Sequence, residues 1–429
     1  MKTNIALAYG KGMLNVELRG VGVDIIEPKH QPGLPDERGA VLAALDRPLG
    51  VEPLREWLHP DCKICITFTD LTRATPNERI IPWLLEYLES NGVRRGQIIL
   101  LNQLGTHRPN TKEELERMLT PAVVAGYRVM NHEPENVDAH VQLGVTESGA
   151  RALLNRHYVE ADVRITTGFI EPHLFAGFSG GVKGIMPGIA ALETISSNHG
   201  YRNIADPRAT FGVTEGNPTW EEMHDIALRA GRSFLLNVAL NNDKEITGVF
   251  AGHLLESHKV GCEFVRESAM QRVAEPYDIV ISTNSGYPLD LNLYQTAKGI
   301  SAAALIVKEG GTIIVASECC EGIPPHSDFE RLLHSVHGPD ELLHLLSHSA
   351  MPVPEQWQAH IQARSQQRAT VLLYSSMSDE DVRAAHLIPC HDIAQEVQTV
   401  TDRLGTDVRI AVLPQGPLTI PYLAQEQFA

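Results

Sequence analysis

The sequence predicts an α/β protein of two domains, each with a largely parallel sheet flanked by helices and with the active site in the cleft between them. Its 429 residues exceed the size at which a single core usually stops growing. A short β-branched apolar run, a polar loop and a helical stretch recur along the chain, which is typical of β-α-β units. We expect an N-terminal domain over 1–273 and a C-terminal domain over 276–406. The tail, 407–429, either stays in the second domain or returns to the first, and the return is favoured.

The first domain begins its repeating pattern with "CKICITFTD" at 62–70, which predicts a buried strand. The helix-like "NERIIPWLLEYLES" follows it. "QIILLNQ" at 97–103 predicts the next strand, and Thr111 with Glu114 forms a capping box that predicts a helix start. "VRITTGFI" at 163–170 predicts a third strand, which runs into the glycine-rich "EPHLFAGFSGGVKG".

The second domain repeats the pattern from "YDIVISTNS" at 277–285, followed by the helix-like "LNLYQTAKGISAAALIVKEGG" and the strand "TIIVAS" at 312–317. "ATVLLYSS", the capped helix "SDEDVRAA" and the apolar "VRIAVLP" continue it towards the C-terminus. These elements make a second parallel sheet the expected core.

The charge of the chain limits its partners. Fifty-three acidic and thirty-six basic residues give a net charge of −17, which disfavours binding to nucleic acid or to an anionic membrane. A small-molecule ligand fits this composition better. The first residues contain no apolar run of signal-peptide length, and no window is long enough to span a membrane, so a cytoplasmic location is expected.

Ionisable and other polar residues follow four of the predicted strands, where open α/β sheets bind their ligands. A random placement would scatter them over helix surfaces, so we interpret the cluster as a functional site. Its members are Asp70 and Arg73, His107, His173 and Lys183, and Tyr294, Gln295 and Lys298.

The lysine and the histidines of this cluster each have more than one possible role. Lys183 follows Gly180 and Gly181, so it would neutralise an anion, form a covalent bond, or lie exposed in a turn. Histidine as a residue type titrates near neutrality, and two such groups, His107 and His173, facing one carbon from opposite sides would exchange acid and base roles. His199, in "ISSNHG", is either a metal ligand or an ordinary loop histidine.

The next helix adds candidates for a carboxylate site. Tyr294 and Lys298 lie four residues apart, so a helix would place them on one face with Gln295 beside them. Together with the fork of Arg73 they would suit a carboxylate, although an ordinary solvated helix start also fits this pattern.

Taken together, the motifs resemble the nickel-pincer lactate racemase family from about residue 60 to 360. The matching stretches, in order, are "DLTRATP", "GTHRP", "EPHLFAGFSGGVKGIMPGIA", "NH" at 198–199, "LYQTAKG" and "EQWQAHIQAR". The resemblance implies a nickel-pincer nucleotide, a nickel pyridinium-3-thioamide-5-thiocarboxylic acid mononucleotide, attached covalently at Lys183 and made by separate biosynthesis enzymes.

The resemblance also implies a role for each site residue. His107 and His173 are the expected acid/base pair, and His199 is the expected metal ligand. The expected substrate-binding residues are Arg73, Tyr294, Gln295, Lys298 and Trp357, and the expected cofactor-binding residues are Lys183, Asp70, Thr72, Ser179, Gly180 and Gly181.

The activity implied is that of an isomerase, a racemase or epimerase that inverts C2 of a 2-hydroxy acid by reversible hydride transfer to the cofactor. Val182 stands where the family often has a basic residue, so malate, aryl acids or sugar acids such as gluconate are alternatives to lactate. A protein that binds the nucleotide without turnover and a metal-independent hydrolase or lyase are alternatives from other classes. A homo-oligomer stays open.

Overall fold

The computed structural model describes residues 2–20, 22–349, 352–405 and 407–423. Its strands are β1 Lys2–Tyr9, β2 Gly12–Arg19, β3 Val23–Ile25, β4 Ile64–Thr69, β5 Ile98–Gln103, β6 Arg128–Asn131, β7 His140–Val145, β8 Arg151–Asn155, β9 Val163–Phe169, β10 Pro172–His173, β11 Gly177–Phe178, β12 Phe234–Leu240, β13 Ile246–His253, β14 Met270–Val273, β15 Tyr277–Thr283, β16 Val307–Ala316, β17 Ala369–Tyr374, β18 Ile388–Pro389, β19 Ile410–Leu413 and β20 Ile420–Leu423.

The helices are α1 Glu37–Asp46, α2 Asn77–Ser90, α3 Lys112–Leu119, α4 Pro121–Gly126, α5 Arg156–Val159, α6 Leu192–Asn198, α7 Tyr201–Ile204, α8 Pro218–Arg229, α9 Leu254–Ala269, α10 Leu293–Ala304, α11 Asp328–His334, α12 Pro339–His348, α13 Gln356–Arg368, α14 Asp379–Ala384 and α15 Ile393–Leu404. Short 3-10 helices lie at Leu54–Trp57, Arg95–Gln97, Val137–Ala139, Gly181–Gly184 and Gly416–Leu418. No helix within the described residues has both the length and the apolar character that crossing a membrane requires.

The chain forms two compact units, and their segments alternate along the sequence. Unit A comprises residues 30–198 and 214–266, and unit B comprises residues 1–29, 199–213 and 267–429. Each unit contains a six-stranded sheet, so the predicted fold class is confirmed. The expected position of the active site in a cleft between the domains stays a prediction.

The sheet of unit A has the order β13-β12-β9-β4-β5-β6, and its pairs are parallel except for β12 with β13. The central strand β4 reads ICITFT and is buried at every position, as expected for a parallel strand covered on both faces. Helix α2 buries Ile81, Leu84 and Leu88, whose spacing of three to four residues makes one apolar stripe. These side chains join the strand residues in one core.

The sheet of unit B has the order β18-β17-β16-β15-β19-β3 and is parallel throughout. Ile5 and Leu7 of the β1–β2 hairpin pack with Ile279 of β15 and Val397 of α15 in one core. Helix α10 packs against β15 and β16, and Asn292 caps it by accepting the N–H of Gln295 at 3.2 Å.

Three segments of the chain belong to unit B although the predicted domain boundaries placed them in, or favoured, the first domain. Strand β3 pairs with β19, Val23 opposite Ile410, so the N-terminal residues join the second sheet instead of the first. Strand β19 reads IAVL, is fully buried and pairs with β15, which holds the described part of the tail in unit B. Residues 199–213 also belong to unit B. Residues 424–429, the end of the predicted tail segment, lie outside the described residues.

Glycine 299 sets how closely helix α10 approaches the sheet of unit B. A Cβ atom at this position would overlap the carbonyl oxygen of Thr283 at the end of β15, and that backbone oxygen cannot easily move aside. We therefore expect Gly299→Ala to lower the free energy of unfolding by about 1–3 kcal/mol, as overpacking usually does. Gly12→Ala is the matched control, since a Cβ there meets no atom within 4 Å. Urea unfolding of both variants checks this, and equal stabilities would contradict the steric argument.

Candidate active site

The candidate residues of unit A gather at one edge of its sheet. Strands β9, β4 and β5 are neighbours and run in parallel, with Ile66 opposite both Leu100 and Ile165. Their carboxyl ends therefore meet at the same edge. Asp70 comes directly after β4, His107 follows β5, and His173 and Lys183 follow β9.

Asp70 and His107 are in direct contact. The Nδ1 atom of His107 lies 2.6 Å from Oδ2 of Asp70, and the hydroxyl of Thr72 donates to Oδ1 of Asp70 at 2.9 Å. Because an ionised carboxylate only accepts hydrogen bonds, the proton between Asp70 and His107 is assigned to Nδ1 of the imidazole. His107 then carries its lone pair on Nε2, which is the arrangement of a general base oriented by a carboxylate.

The carboxyl group of Asp70 is ionised although its side chain is only 2 % exposed. Burial by itself would raise the pKa of Asp70, but the hydrogen bond with His107, the nearby positive charges and the hydrogen bond from Thr72 outweigh it and lower the pKa. Arg73 supplies part of that positive charge, with its Nε 3.9 Å from Oδ1 of Asp70. Asp70 therefore stays ionised and accepts the Nδ1–H of His107.

His173 is held in a different way. It lies on β10, which pairs with β11, His173 opposite Gly177. Its Nδ1 accepts the backbone N–H groups of Ala176 at 3.3 Å and Phe175 at 3.5 Å, and its ring meets that of Phe175 edge-on with centroids 4.6 Å apart. An accepting Nδ1 carries no proton, so the proton of neutral His173 is on Nε2. The two histidines thus hold opposite tautomers.

The glycine turn before Lys183 is packed tightly against two buried polar side chains. A Cβ at Gly180 would overlap Oδ1 of Asn237, and a Cβ at Gly181 would overlap the ring of His258. Both glycines also have positive φ angles, 73° and 53°. Only glycine satisfies these two constraints together.

Hydrogen bonds within unit A hold the same turn. Asn237 accepts the N–H of Gly181 at 2.8 Å, and the Nε2–H of His258 donates to the carbonyl of Ser179 at 2.8 Å. The hydroxyl of Ser179 donates to the carbonyl of Phe169 and accepts the N–H of Glu171, each at 2.9 Å. Burial lowers the pKa of His258, which keeps the ring neutral. The glycines therefore shape the turn, while Ser179 braces it.

Lys183 itself lies on the 3-10 helix Gly181–Gly184 and is half-buried, whereas the other three residues of that helix are buried. The loop that follows is anchored by His132, whose Nε2–H donates to the carbonyl of Ala190 at 2.9 Å. Asn155 donates from its amide to Nδ1 of His132 at 3.2 Å and from its backbone to the carbonyl of Ile189 at 2.9 Å. The neutral side chain of His132 and the backbone of Asn155 thus anchor this loop by hydrogen bonds to its carbonyl groups.

The remaining candidates lie in unit B. The ring of His199 meets that of Trp357 edge-on, with centroids 5.1 Å apart and an angle of 81°. The indole N–H of Trp357 donates to the hydroxyl of Tyr294 at 3.1 Å, and the amide of Gln358 donates to the carbonyl of Tyr294 at 2.6 Å. The structure therefore joins the predicted metal ligand, aromatic residue and tyrosine in one array.

Tyr294, Gln295 and Lys298 lie on the first two turns of α10, and all three are half-buried. Helix α10 follows β15, so this group lies after the carboxyl end of a strand, as the sequence predicted. Tyr294 and Lys298 are four residues apart and share a helix face.

Sequence reasoning missed the residues that support the Lys183 loop, namely Asn237, His258, His132 and Asn155. Each is buried and lies in a segment of the chain well separated from Lys183. A signal was available in "FLLNVAL", where Asn237 interrupts an otherwise apolar strand. A polar residue in such a run usually has a specific hydrogen-bond partner.

We compared the chain with models of protein families and with known relatives. Residues 9–212 match the model of the lactate racemase N-terminal domain, and residues 273–420 match that of the lactate racemase C-terminal domain. The chain belongs to the lactate racemase family. A lactate racemase from Thermoanaerobacterium thermosaccharolyticum is 33 % identical over 419 residues, which are 96 % of this chain and 98 % of that protein. One from Lactiplantibacillus plantarum is 36 % identical over 383 residues, 89 % of this chain and 90 % of that protein.

Solved structures agree with the family assignment. The lactate racemase apoprotein from Thermoanaerobacterium thermosaccharolyticum matches with a TM-score of 0.90 and 33 % identity, covering 98 % of this chain and 100 % of that one. A protein from Thermotoga maritima matches with a TM-score of 0.68 at 20 % identity, covering 92 % of this chain and 100 % of that one, and shows the fold alone. The chain is thus an isomerase of the racemase class.

The lactate racemase family depends on a nickel cofactor, and residues of this chain fit one. The turn at Gly180 and Gly181 has no room for added side-chain atoms and presents a single half-buried lysine, Lys183. His199 supplies an imidazole, a suitable ligand type for nickel. The turn in unit A and the imidazole in unit B are each of a kind that a nickel cofactor would use.

His132, which anchors the loop after Lys183, makes the free energy of unfolding dependent on pH. Burial lowers the pKa of His132 to about 4, while the unfolded chain binds that proton near the ordinary pKa of about 6.5. Between these values the unfolded state holds more protons, so stability falls as the pH falls. From pH 7 to pH 5 this one group should remove about 2 kcal/mol from the free energy of unfolding.

Urea unfolding at both pH values measures this effect in the wild type and in His132→Gln. The variant should lose less stability on acidification, whereas His59→Gln, at an exposed position, should behave as the wild type. The same loss in His132→Gln as in the wild type would show that His132 is not the group responsible.

Proposed function

We propose that this chain racemises a 2-hydroxy acid, with lactate as the first candidate, and that His107 and His173 are its two acid/base groups. The observation that carries the proposal is the contact between buried Asp70 and His107, at the same sheet edge as His173, in a chain of the lactate racemase family. Both matched curated relatives are named lactate racemase, which favours lactate.

The chemical difficulty of the reaction lies at C2. Its hydrogen is weakly acidic, so removing it as a proton with an imidazole would face a high barrier. When bound, a nickel-pincer nucleotide would take this hydrogen as hydride and return it, so that no carbanion forms. The residues of the chain are then left with moving the hydroxyl proton and holding the substrate.

His107 suits the removal of the hydroxyl proton. Its Nδ1–H is fixed on Asp70, so Nε2 carries the lone pair that accepts the proton. The imidazolium that forms would be stabilised by the adjacent carboxylate, whose lowered pKa keeps it ionised. Asp70 is therefore a positioning residue that also balances the charge.

His173 suits the opposite role. Because its Nδ1 accepts backbone N–H groups, neutral His173 has its proton on Nε2, where it would donate a hydrogen bond to a substrate oxygen. To transfer a proton to that oxygen, His173 would first take up a second proton and act as the imidazolium. A turnover thus requires neutral His107 as the proton acceptor and the imidazolium form of His173 as the proton donor. Inversion in the other direction requires the two to exchange these states.

The remaining residues would hold the substrate and the cofactor. The resemblance assigns the substrate carboxylate to Arg73, with Tyr294, Gln295 and Lys298 lining the cofactor and substrate pocket and Trp357 near it. Lys183 would carry the cofactor as a thioamide, beside Asp70, Thr72, Ser179, Gly180 and Gly181, and His199 would bind nickel. The backbone N–H groups of Gly181 and Lys183 already donate to Asn237 and to the Gly180 carbonyl, so the turn would contribute shape rather than these donors.

Larger acids such as malate, aryl acids or gluconate were alternatives because Val182 replaces a basic residue. Val182 is fully buried, so its side chain is not exposed to a ligand in the structure. This weakens the argument for a changed substrate charge. A panel of lactate, malate, mandelate and gluconate, followed by chiral chromatography, ranks the candidates directly.

Mass spectrometry of the intact protein tests whether Lys183 carries the cofactor covalently. Protein co-expressed with the cofactor biosynthesis enzymes should carry the added mass of the nucleotide, and Lys183→Ala should lack it because the reacting amine is gone. Lys112→Ala, at an exposed lysine, should keep the added mass. Full added mass on Lys183→Ala would rule out this attachment.

The acid/base assignment predicts that His107→Ala and His173→Ala each slow interconversion from either enantiomer by about 10²–10⁴-fold while the cofactor stays bound. Asp70→Asn should slow it by at least about 100-fold and shift the ¹⁵N signals of His107 away from the Nδ1–H tautomer. Asp61→Asn, at an exposed carboxylate, is the control.

The same assay separates the alternatives. In D₂O the product should keep its C2 hydrogen, since hydride transfer does not exchange it with solvent. Deuterium at C2 would refute hydride transfer, and full activity of either histidine variant would refute the two-base assignment. A loaded protein that inverts none of the panel acids would instead be a nucleotide-binding protein without turnover.

A further inference from the structure

Helix α12, Pro339–His348, carries two exposed histidines one turn apart. His344 and His348 are four residues apart, so they project from the same face of the helix, and their ring centroids lie 4.2 Å apart. The opposite face buries Leu342 and Leu346, and α12 packs against α13. The pair is therefore mounted on a fixed helix and open to solvent.

His348 holds the tautomer that a metal ligand needs. Its Nδ1 lies 2.9 Å from the carbonyl oxygen of His344 and 2.9 Å from the hydroxyl of Ser347. A carbonyl only accepts hydrogen bonds, so Nδ1 carries the proton and the lone pair lies on Nε2. Metal-binding histidines typically donate their other ring N–H to a carbonyl or carboxylate in this way.

The position on the helix also favours a cation. His348 is the last residue of α12, where the helix dipole is negative. Two neutral imidazoles on adjacent turns are a known ligand pair for divalent transition metals. Among residues 2–20, 22–349, 352–405 and 407–423, no group of three His, Cys, Asp or Glu side chains is placed to hold a metal ion, so water would complete the coordination.

We propose that His344 and His348 form a surface site for one divalent transition-metal ion, such as Ni²⁺ or Zn²⁺. The site is separate in sequence from His199 and requires neither the cofactor nor the racemase reaction. Binding would be bidentate through the two imidazoles, and it would weaken on acidification because the ligands must be unprotonated.

The test uses untagged full-length protein made without the cofactor biosynthesis enzymes and titrated with NiCl₂ by calorimetry. The wild type should bind one ion at this site. His344→Ala and His348→Ala should each weaken that binding by at least about tenfold, because each variant loses one of the two imidazole ligands. His59→Ala removes an exposed histidine in unit A, and it should bind as the wild type does.

Further variants separate this site from the proposed active site. His199→Ala should retain the binding, and the double variant His344→Ala/His348→Ala should lose it while keeping racemase activity when loaded with cofactor. Since alanine favours helix, circular dichroism of the double variant should match the wild type. Unchanged Ni²⁺ affinity in the double variant, or no binding by the wild type, would overturn the proposal.

Discussion

The buried carboxylate of Asp70 is the constraint on which the candidate site in unit A depends. An ionised group removed from water is costly unless charge and hydrogen bonds compensate it. Here His107, Thr72 and Arg73 all supply that compensation. Their positions are therefore linked, because the loops after β4 and β5 must both fold correctly before the charge of Asp70 is balanced. The same contacts that stabilise the carboxylate orient His107.

A second set of polar contacts serves the lysine turn in unit A. Asn237, His258 and His132 are buried, neutral and hydrogen-bonded to backbone groups of the loop between β11 and α6. Glycine gives this loop its shape at Gly180 and Gly181, but glycine alone leaves a backbone flexible. The buried polar groups remove that freedom, so that the position of Lys183 is determined by the core of the unit rather than by the loop itself.

Much of this arrangement could be predicted from local sequence. The strands at 62–70, 97–103, 163–170, 277–285 and 312–317 are present, and the capping box of Thr111 and Glu114 forms as expected. The gathering of Asp70 and His107 followed from strand order, because parallel neighbours end at one edge. Their direct hydrogen bond could not be predicted, since it depends on how two separate loops turn. The pairing of β3 with β19 was also missed, because a strand of three residues near the N-terminus gives no sign of a partner near the C-terminus.

The alternation of segments between the units has a consequence for dissecting the protein. A gene fragment starting near residue 270 would encode most of the unit B sheet without β3 and without the β1–β2 hairpin. The side chains of Ile279, Ile281 and Ile314, which pack in the same core as that hairpin, would then face water. Such a fragment would present an open sheet edge and an uncovered apolar face, the two features that lead to aggregation. Unit B therefore cannot be expressed intact as a C-terminal fragment, and the two sheets cannot be separated at a single cut.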